Sequence, residues 1–441
     1  MKKRTSRYIY DPLYGPIYLP DYVWDVIPCA ELQRLREVRL CNINSLCLIG
    51  GSNISRYEHA IGTCHLAQEC LDSWPALDPI SLKEKRHLML AALLHDVASA
   101  AFGHSVEYIE SKEGFNHEKA FEYVVGKKSS GGSYQYQSAT FDPIFFGLRE
   151  ILSHISEEDV DAISEIISGK GKFGPLINGS IDLDNIDNVF RLAYHIGIVK
   201  SREVPLKLAA SIWINEGTLI VRSEAVPLVE EWFKLRRKLY NLLLLNPEEF
   251  SAKCMLHEAI EIAKCKDANA FKWWDVDYDL IKKLSNTCAE SSIVISRLMK
   301  GDLYGCIGIF STNNIEAYKE LNNLDKRKEH EGILSDLIRE FGPQFKSAMI
   351  SLHSIIDVNK TERQIQLKTD KGNFIQVGKS SNQVLIGVFF KNINLNMYKL
   401  DKLTGTTINK MRREISKYLS SKLGDENLME INLYDEVKEC K

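Results

Sequence analysis

Long apolar runs, paired cysteines, a surplus of one charge and internal repeats are all missing from this sequence, and each absence removes a class of protein. No stretch approaches the ~18 consecutive apolar residues needed to span a bilayer. The N-terminal run MKKRTSRYIYDPLYGP has a basic tip but no apolar segment behind it, because Asp11, Pro12, Gly15 and Pro16 interrupt it. A secretory signal is therefore not expected. The 10 cysteines are scattered over 441 residues without a CxxC pair. That spacing speaks against a disulfide framework and for reduced, mostly buried thiols in a cytoplasmic protein. Lysine plus arginine (56) nearly balance aspartate plus glutamate (59), leaving a net charge of −3. No global basic field singles out nucleic acid as a partner, and no membrane is indicated. A GxxxxGK[ST] phosphate loop is also absent. The glycine-rich segment 126–138 (GKKSSGGSYQYQS) follows no strand and reads as a surface loop.

What is present is an ordinary globular composition, 44% hydrophobic and 26% charged, in a chain long enough for several domains. Residues 8–20 set YIY and PIYL either side of a Pro/Gly turn, which reads as a β-hairpin. Helical periodicity follows over 30–40, from Ser55 as cap to about Leu71, over 82–97, from a capping box at 156–159 to Gly169, and over 186–194. It recurs over 226–244, 252–263, 280–300 and 314–341. Beyond about Ser354 the segments ERQIQLKT, NFIQVGK and QVLIGVFFK are β-rich, and 407–423 is a single amphipathic helix. The expected fold is mainly α. It comprises a helical core with a short N-terminal β-hairpin over 1–240, a helical extension over 241–350 and a small α+β lobe over 351–441.

Two segments carry chemistry. Arg56-Tyr57-Glu58-His59 opens one helix, and His95-Asp96 closes the most apolar helix of the first half, LMLAALLHD. A titratable pair at the end of such a helix is costly unless something compensates for its desolvation. A metal ion would do so, accepting imidazole nitrogen and carboxylate oxygen together. Asp182, Asp184 and Asp187, in IDLDNID ahead of another apolar helix, offer a further ligand. A lone His-Asp dipeptide is weak evidence, and acidic residues before a helix are usually caps. A single histidine on an apolar helix, such as His65 or His257, is more often a core residue. The inference rests on the ordered set.

That set resembles the HD-domain superfamily, and within it the bacterial dGTP triphosphohydrolases and the SAM-and-HD-domain dNTP triphosphohydrolases. The similarity runs through DPLYGPIYL, ELQRLREVRL, RYEHAIGTCHLA, AALLHDVASAAFGHSVE, FNHE and NGSIDLDNIDNVFRLAYHIGI, with weaker echoes in KLRRKLY, SRLMKGDLYGCIG and VFFK. The resemblance implies a helical HD-domain core with His59, His95, Asp96 and Asp184 as ligands of one divalent ion (Mn, Mg, Fe, Ni or Zn). It implies His104, Glu107 and His117 as catalytic residues, and Arg56, Arg237, Lys238 and Tyr240 as contacts to a nucleotide substrate. A homo-oligomer is also implied, and a regulatory nucleotide is left open. The implied reaction is hydrolysis of a (deoxy)nucleoside triphosphate to nucleoside and tripolyphosphate. Water attacks the α-phosphorus and His104, kept protonated by Glu107, serves as general acid.

The chain departs from that pattern at Pro28, Leu40, Ser99, Asn185 and Asn188, positions where relatives carry metal-side, sugar-side, triphosphate or regulatory contacts. Two other readings stay open on these grounds: a phosphodiesterase or nucleotidase acting on another nucleotide, and a non-catalytic nucleotide- or nucleic-acid-binding regulator.

Overall fold

The structure, a computed structural model, describes residues 7–41, 51, 53–76, 78–103, 106, 120–121, 124, 148–152, 157–391 and 405–431. Segment 126–138 lies outside them. Helices dominate, as the periodicity predicts, with a hairpin at one end and sheets towards the other.

The hairpin pairs Ile9–Asp11 with Gly15–Ile17. Its turn is closed by Asp11, whose Oδ1 accepts from the backbone N–H of Leu13 and Tyr14, both at 2.8 Å. A short helix, Asp21–Trp24, follows, and the one after it is shorter than the expected 30–40. It spans Ala30–Arg34 and tightens into a 3₁₀ turn over Leu35–Glu37. Val38 is extended instead, because its carbonyl and the Leu40 N–H bond to Arg56 and Ile54 across a short antiparallel bridge.

Two helices frame the site. Arg56–Asp72 starts at Ser55, whose side chain accepts from the Glu58 N–H, and Leu82–Leu94 starts at a complete Ser81/Glu84 capping box. Every residue from His87 to Leu94 is buried, so the C-terminal part of this helix sits inside the core while its charged first turns stay at the surface. Burying such leucines stabilises the fold by about 1.5–3 kcal/mol each. Leu183–His195 packs against Arg56–Asp72 and Val226–Leu244, and Val226–Leu244 and Pro247–Lys266 line the cavity above the site.

Two expected long helices are broken. The run 280–300 is interrupted at Cys288, which is extended (φ −158°, ψ 166°), giving Asp277–Thr287 and Ala289–Met299. The run 314–341 is interrupted at Asn323, whose side chain caps Leu324–Arg339 by accepting from Asp325 and Lys326 N–H groups. Both breaks preserve apolar spacing on each side, which is why periodicity alone runs through them.

The β segments form two four-stranded sheets. One, antiparallel, runs Met429–Glu430, Gly305–Thr312, Asn382–Phe390, Ile350–Val358. Its central strand is covered by the Gly405–Leu423 helix, whose Met411, Ile415, Leu419 and Leu423 form a buried stripe. The other runs Ile212–Asn215, Thr218–Val221, Ile365–Thr369, Phe374–Val377, with a parallel pairing between residues 218–221 and 365–369. Strands from both sides of residue 350 thus share each sheet. The boundary expected there is bridged by backbone hydrogen bonds, a long-range pairing that local patterning does not reveal. Among the described residues no helix is long and apolar enough to cross a membrane.

Candidate metal centre and cavity

Three helix ends deliver four side chains to one point. His59 lies in the first turn of Arg56–Asp72, His95 and Asp96 follow Leu82–Leu94, and Asp184 lies in the first turn of Leu183–His195. The Nε2 atoms of His59 and His95 are 3.2 Å apart. The Asp184 Oδ1 is 2.9 Å from the first and 3.7 Å from the second, and the Asp96 Oδ2 is 3.9 and 3.7 Å from them. His59, His95 and Asp96 are buried; Asp184, with 31% of its side chain exposed, forms the open side.

The imidazole tautomers are set from behind. His95 Nδ1 donates to the Ala92 carbonyl at 2.9 Å, and His59 Nδ1 donates to Asp187 Oδ2 at 2.7 Å. Both Nε2 atoms therefore present lone pairs to the same small space, flanked by two carboxylates. Such a group of acceptors requires a cation between them. A proton competes with an ion for that place. Burial opposes charge on His59, but hydrogen bonds to Asp184 and Asp187 outweigh it and raise the imidazole to about 10. The donor set of two imidazoles and carboxylates suits a divalent first-row ion or magnesium, and these four residues could hold it. Taking up the ion means giving up that proton. The apparent metal affinity is therefore expected to rise about tenfold per pH unit between pH 6 and 8, measurable by competition with a chromogenic chelator. A flat profile would show that His59 is not a ligand.

The three aspartates of IDLDNID have separate jobs. Asp182 caps the helix, accepting from the N–H groups of Asn185 (2.6 Å) and Gly179 (2.9 Å); burial and the Asp184 charge push it up to about 7. Asp184 faces the cluster. Asp187 stands behind His59 and is fully buried, yet Arg191 and His59 hold it well below the usual carboxylate range despite that burial.

Arg191 is the hub of this support. It bonds Asp187 through Nε (2.8 Å) and Nη2 (3.0 Å), and Asp11 (2.9 Å) and Glu58 (2.5 Å) through Nη1. The Tyr14 hydroxyl donates to Asp187 as well. The hairpin thus braces the histidine through Asp11 and Tyr14. Sequence reading missed this role of Arg191; its charge inside an apolar helix is the one signal for it.

Gly62, on the helix that carries His59, is where this network passes. A Cβ there would lie 2.1 Å from both Arg191 Nη2 and Asp187 Oδ1. Gly62→Ala is expected to destabilise by about 2–4 kcal/mol through overpacking and loss of the buried pair, although alanine favours helices. Urea unfolding reads this; an unchanged midpoint would contradict the packing.

A cavity of about 310 Å³ opens over the cluster. Arg56, His59, His95, Asp96 and Asp184 line one end, and Leu239, Leu243, Leu244, Val189 and Leu192 give it an apolar wall. Arg56 Nη1 lies 2.7 Å from both oxygens of Asp96, while its buried Nε has no hydrogen-bond partner among the described residues. Ser99 donates to Asp96 Oδ1 at 2.8 Å. Fully buried Arg34 holds the following turn by donating to the carbonyls of Val97 and Ser99. Tyr240 lines the cavity, with Arg236 stacked over its ring at 4.2 Å.

Arg237 and Lys238 do not line it. Arg237 is exposed and pairs with Glu362 at 2.7 Å, because one residue along a helix turns the side chain by roughly 100°. Leu40 and Asn188 line the cavity, and Asn185 donates to Asp182 instead. Unforeseen from sequence are Glu249, Lys253 and Lys360, which line it too. His104, Glu107 and His117 lie outside the described residues.

Comparison with known proteins agrees with this geometry. The HD domain model matches residues 56–168, a span that contains His59, His95 and Asp96. A deoxynucleoside triphosphate triphosphohydrolase SAMHD1 homolog from Dictyostelium discoideum is 23% identical over 361 residues, covering 76% of this chain and 67% of that protein. An uncharacterized protein of Methanocaldococcus jannaschii is 23% identical over 343 residues, with the same coverage. Among solved structures, a phosphohydrolase from Bacteroides thetaiotaomicron superposes with a TM-score of 0.59 at 16% identity, covering 88% of this chain and 100% of that one. A hypothetical protein from Aquifex aeolicus gives 0.59 at 19% identity, covering 87% and 96%. These two show a shared fold. Residues 56–168 belong to the HD-domain family.

Proposed function

We propose that the protein hydrolyses (deoxy)nucleoside triphosphates to nucleoside and tripolyphosphate at the His59–His95–Asp96–Asp184 centre. The observation that carries this reading is the pair of Nε2 lone pairs 3.2 Å apart, fixed from behind and flanked by carboxylates, at the end of a cavity large enough for a small organic ligand. The likeness to the Dictyostelium triphosphohydrolase homolog supports the substrate class.

When bound, the divalent ion supplies Lewis-acid polarisation of a phosphoryl oxygen and a lowered pKa for water. The chain's own residues do the rest. Arg56, whose buried Nε–H has no partner among the described residues, donates to a phosphate oxygen and offsets charge developing there. The apolar wall of Leu239, Leu243 and Leu244 seats the nucleoside and keeps bulk water away. Water oxygen bonds to the α-phosphorus, the bond from phosphorus to the 5′ oxygen breaks, and that oxygen takes a proton. In this reading the donor is His104, with Glu107 and His117 in support.

A nucleotide panel with Mn²⁺ or Mg²⁺, with products separated by anion exchange, tests the proposal. Nucleoside and tripolyphosphate in equal amounts are the expected products. Nucleoside monophosphate would assign a phosphodiesterase or pyrophosphohydrolase, and no product with any metal would leave a binding protein.

A further inference from the structure

The charges lining the cavity are matched unequally. At the metal end, Arg56 is held by Asp96, and Asp96 and Asp184 together offset a divalent ion. That end has little positive charge to spare beyond what one phosphate group needs. The same cavity is also lined by two ammonium groups and by the buried carboxylate of Glu249. Lys253 comes from the Pro247–Lys266 helix and is half-buried; Lys360 follows the Ile350–Val358 strand and is exposed. Among the described residues, the Lys253 ammonium has no ion pair, and the charged group acting on it most is Lys360, a cation like itself. Burial, followed by that repulsion, pushes the Lys253 amine down to about 7.

A lysine that merely lays its stem along an apolar wall would carry its ammonium away to water. Here two cations from separate elements line one void together; Asp357 offsets the Lys360 charge, whereas the charge acting on Lys253 is that of Lys360, an arrangement a bound anion would stabilise.

We propose that Lys253 and Lys360 form the distal anion site of this cavity, binding the phosphates beyond the one at the metal and so requiring a substrate with a chain of phosphates. The inference rests on the cavity being a phosphohydrolase site, and it adds which of this chain's residues select a polyphosphate tail over a monophosphate. Each lysine acts as a point charge on non-bridging oxygens, so the site reads charge and length rather than the base.

Inorganic tripolyphosphate is the probe, titrated calorimetrically into the metal-loaded full chain. Lys253→Met and Lys360→Gln are each expected to weaken its binding by about tenfold or more, with Lys253→Arg recovering part of the loss. Without the probe, Lys253→Met should unfold at the same temperature as wild type or higher, because it removes a half-buried, repelled charge. Lys253→Met with wild-type tripolyphosphate affinity would overturn the proposal. So would a fall in its unfolding temperature with unchanged binding, which would assign the lysine a structural role. The two readings fail separately. Lysine-dependent binding without nucleotide turnover would leave the anion site standing and remove the triphosphohydrolase. Turnover of triphosphates with unchanged KM in both variants would do the reverse.

Discussion

His95→Ala is expected to lower kcat/KM on the best nucleotide by about 10³-fold or more and to strip the bound ion, while the protein stays folded. The loss should be this large because the imidazole is one of four groups converging on the cation position, and the others cannot close around a missing corner. Folding should survive because the substitution removes one of two imidazoles whose Nε2 atoms crowd each other at 3.2 Å. Asp96→Ala is a less clean test. It would leave Arg56, held at 2.7 Å by both Asp96 oxygens, buried without its counter-charge, a change that costs about 3–5 kcal/mol in itself. Steady-state kinetics, metal analysis and thermal unfolding on His95→Ala separate chemistry from stability. Full activity in that variant would move the active centre elsewhere.

Arg191→Met should destabilise the protein by about 3–5 kcal/mol at pH 7, because buried Asp187 would keep only His59 and Tyr14 as partners and buried Asp11 would lose its counter-charge. The same change should reduce activity, since Asp187 would no longer be fixed behind His59. The pH dependence follows from the sign of the Asp187 shift. Its carboxyl is held below the ordinary value, so the stability it contributes is present above about pH 4 and is lost as pH falls further. Without Arg191 that depression largely disappears, and acid unfolding of the variant should begin at higher pH than in wild type. Urea titrations between pH 3 and 7 measure both effects. A variant with wild-type stability across that range would show that the hairpin, Asp187 and Arg191 do not act as one network.

Much of the fold was legible because apolar spacing and caps agree along the chain. Ser55 caps the helix it was expected to cap, and Val226–Leu244 has the bounds its periodicity predicts. Breaks at Cys288 and Asn323 were hidden because the apolar register continues through them. The parallel pairing of Thr218–Val221 with Ile365–Thr369 joins segments far apart in sequence, and no local signal announces it. The metal cluster was legible for another reason: titratable residues at the ends of apolar helices are expensive, so their presence is informative. Lys253 was invisible by the same logic, since a lysine on an amphipathic helix looks solvated until the fold puts Lys360 beside the same void. Arg237 and Lys238 share a helix with Tyr240, which lines the cavity, but do not line it themselves.

The central claim is that four side chains hold one ion. Its most direct test is the Mn²⁺ content of dialysed wild-type protein and of His59→Ala, read by elemental analysis and by the manganese spin-resonance signal. One bound ion per chain in the wild type, lost in the variant together with hydrolysis, is the predicted result. A wild type that turns over nucleotide with no ion bound, or a variant that keeps its ion, would contradict the account.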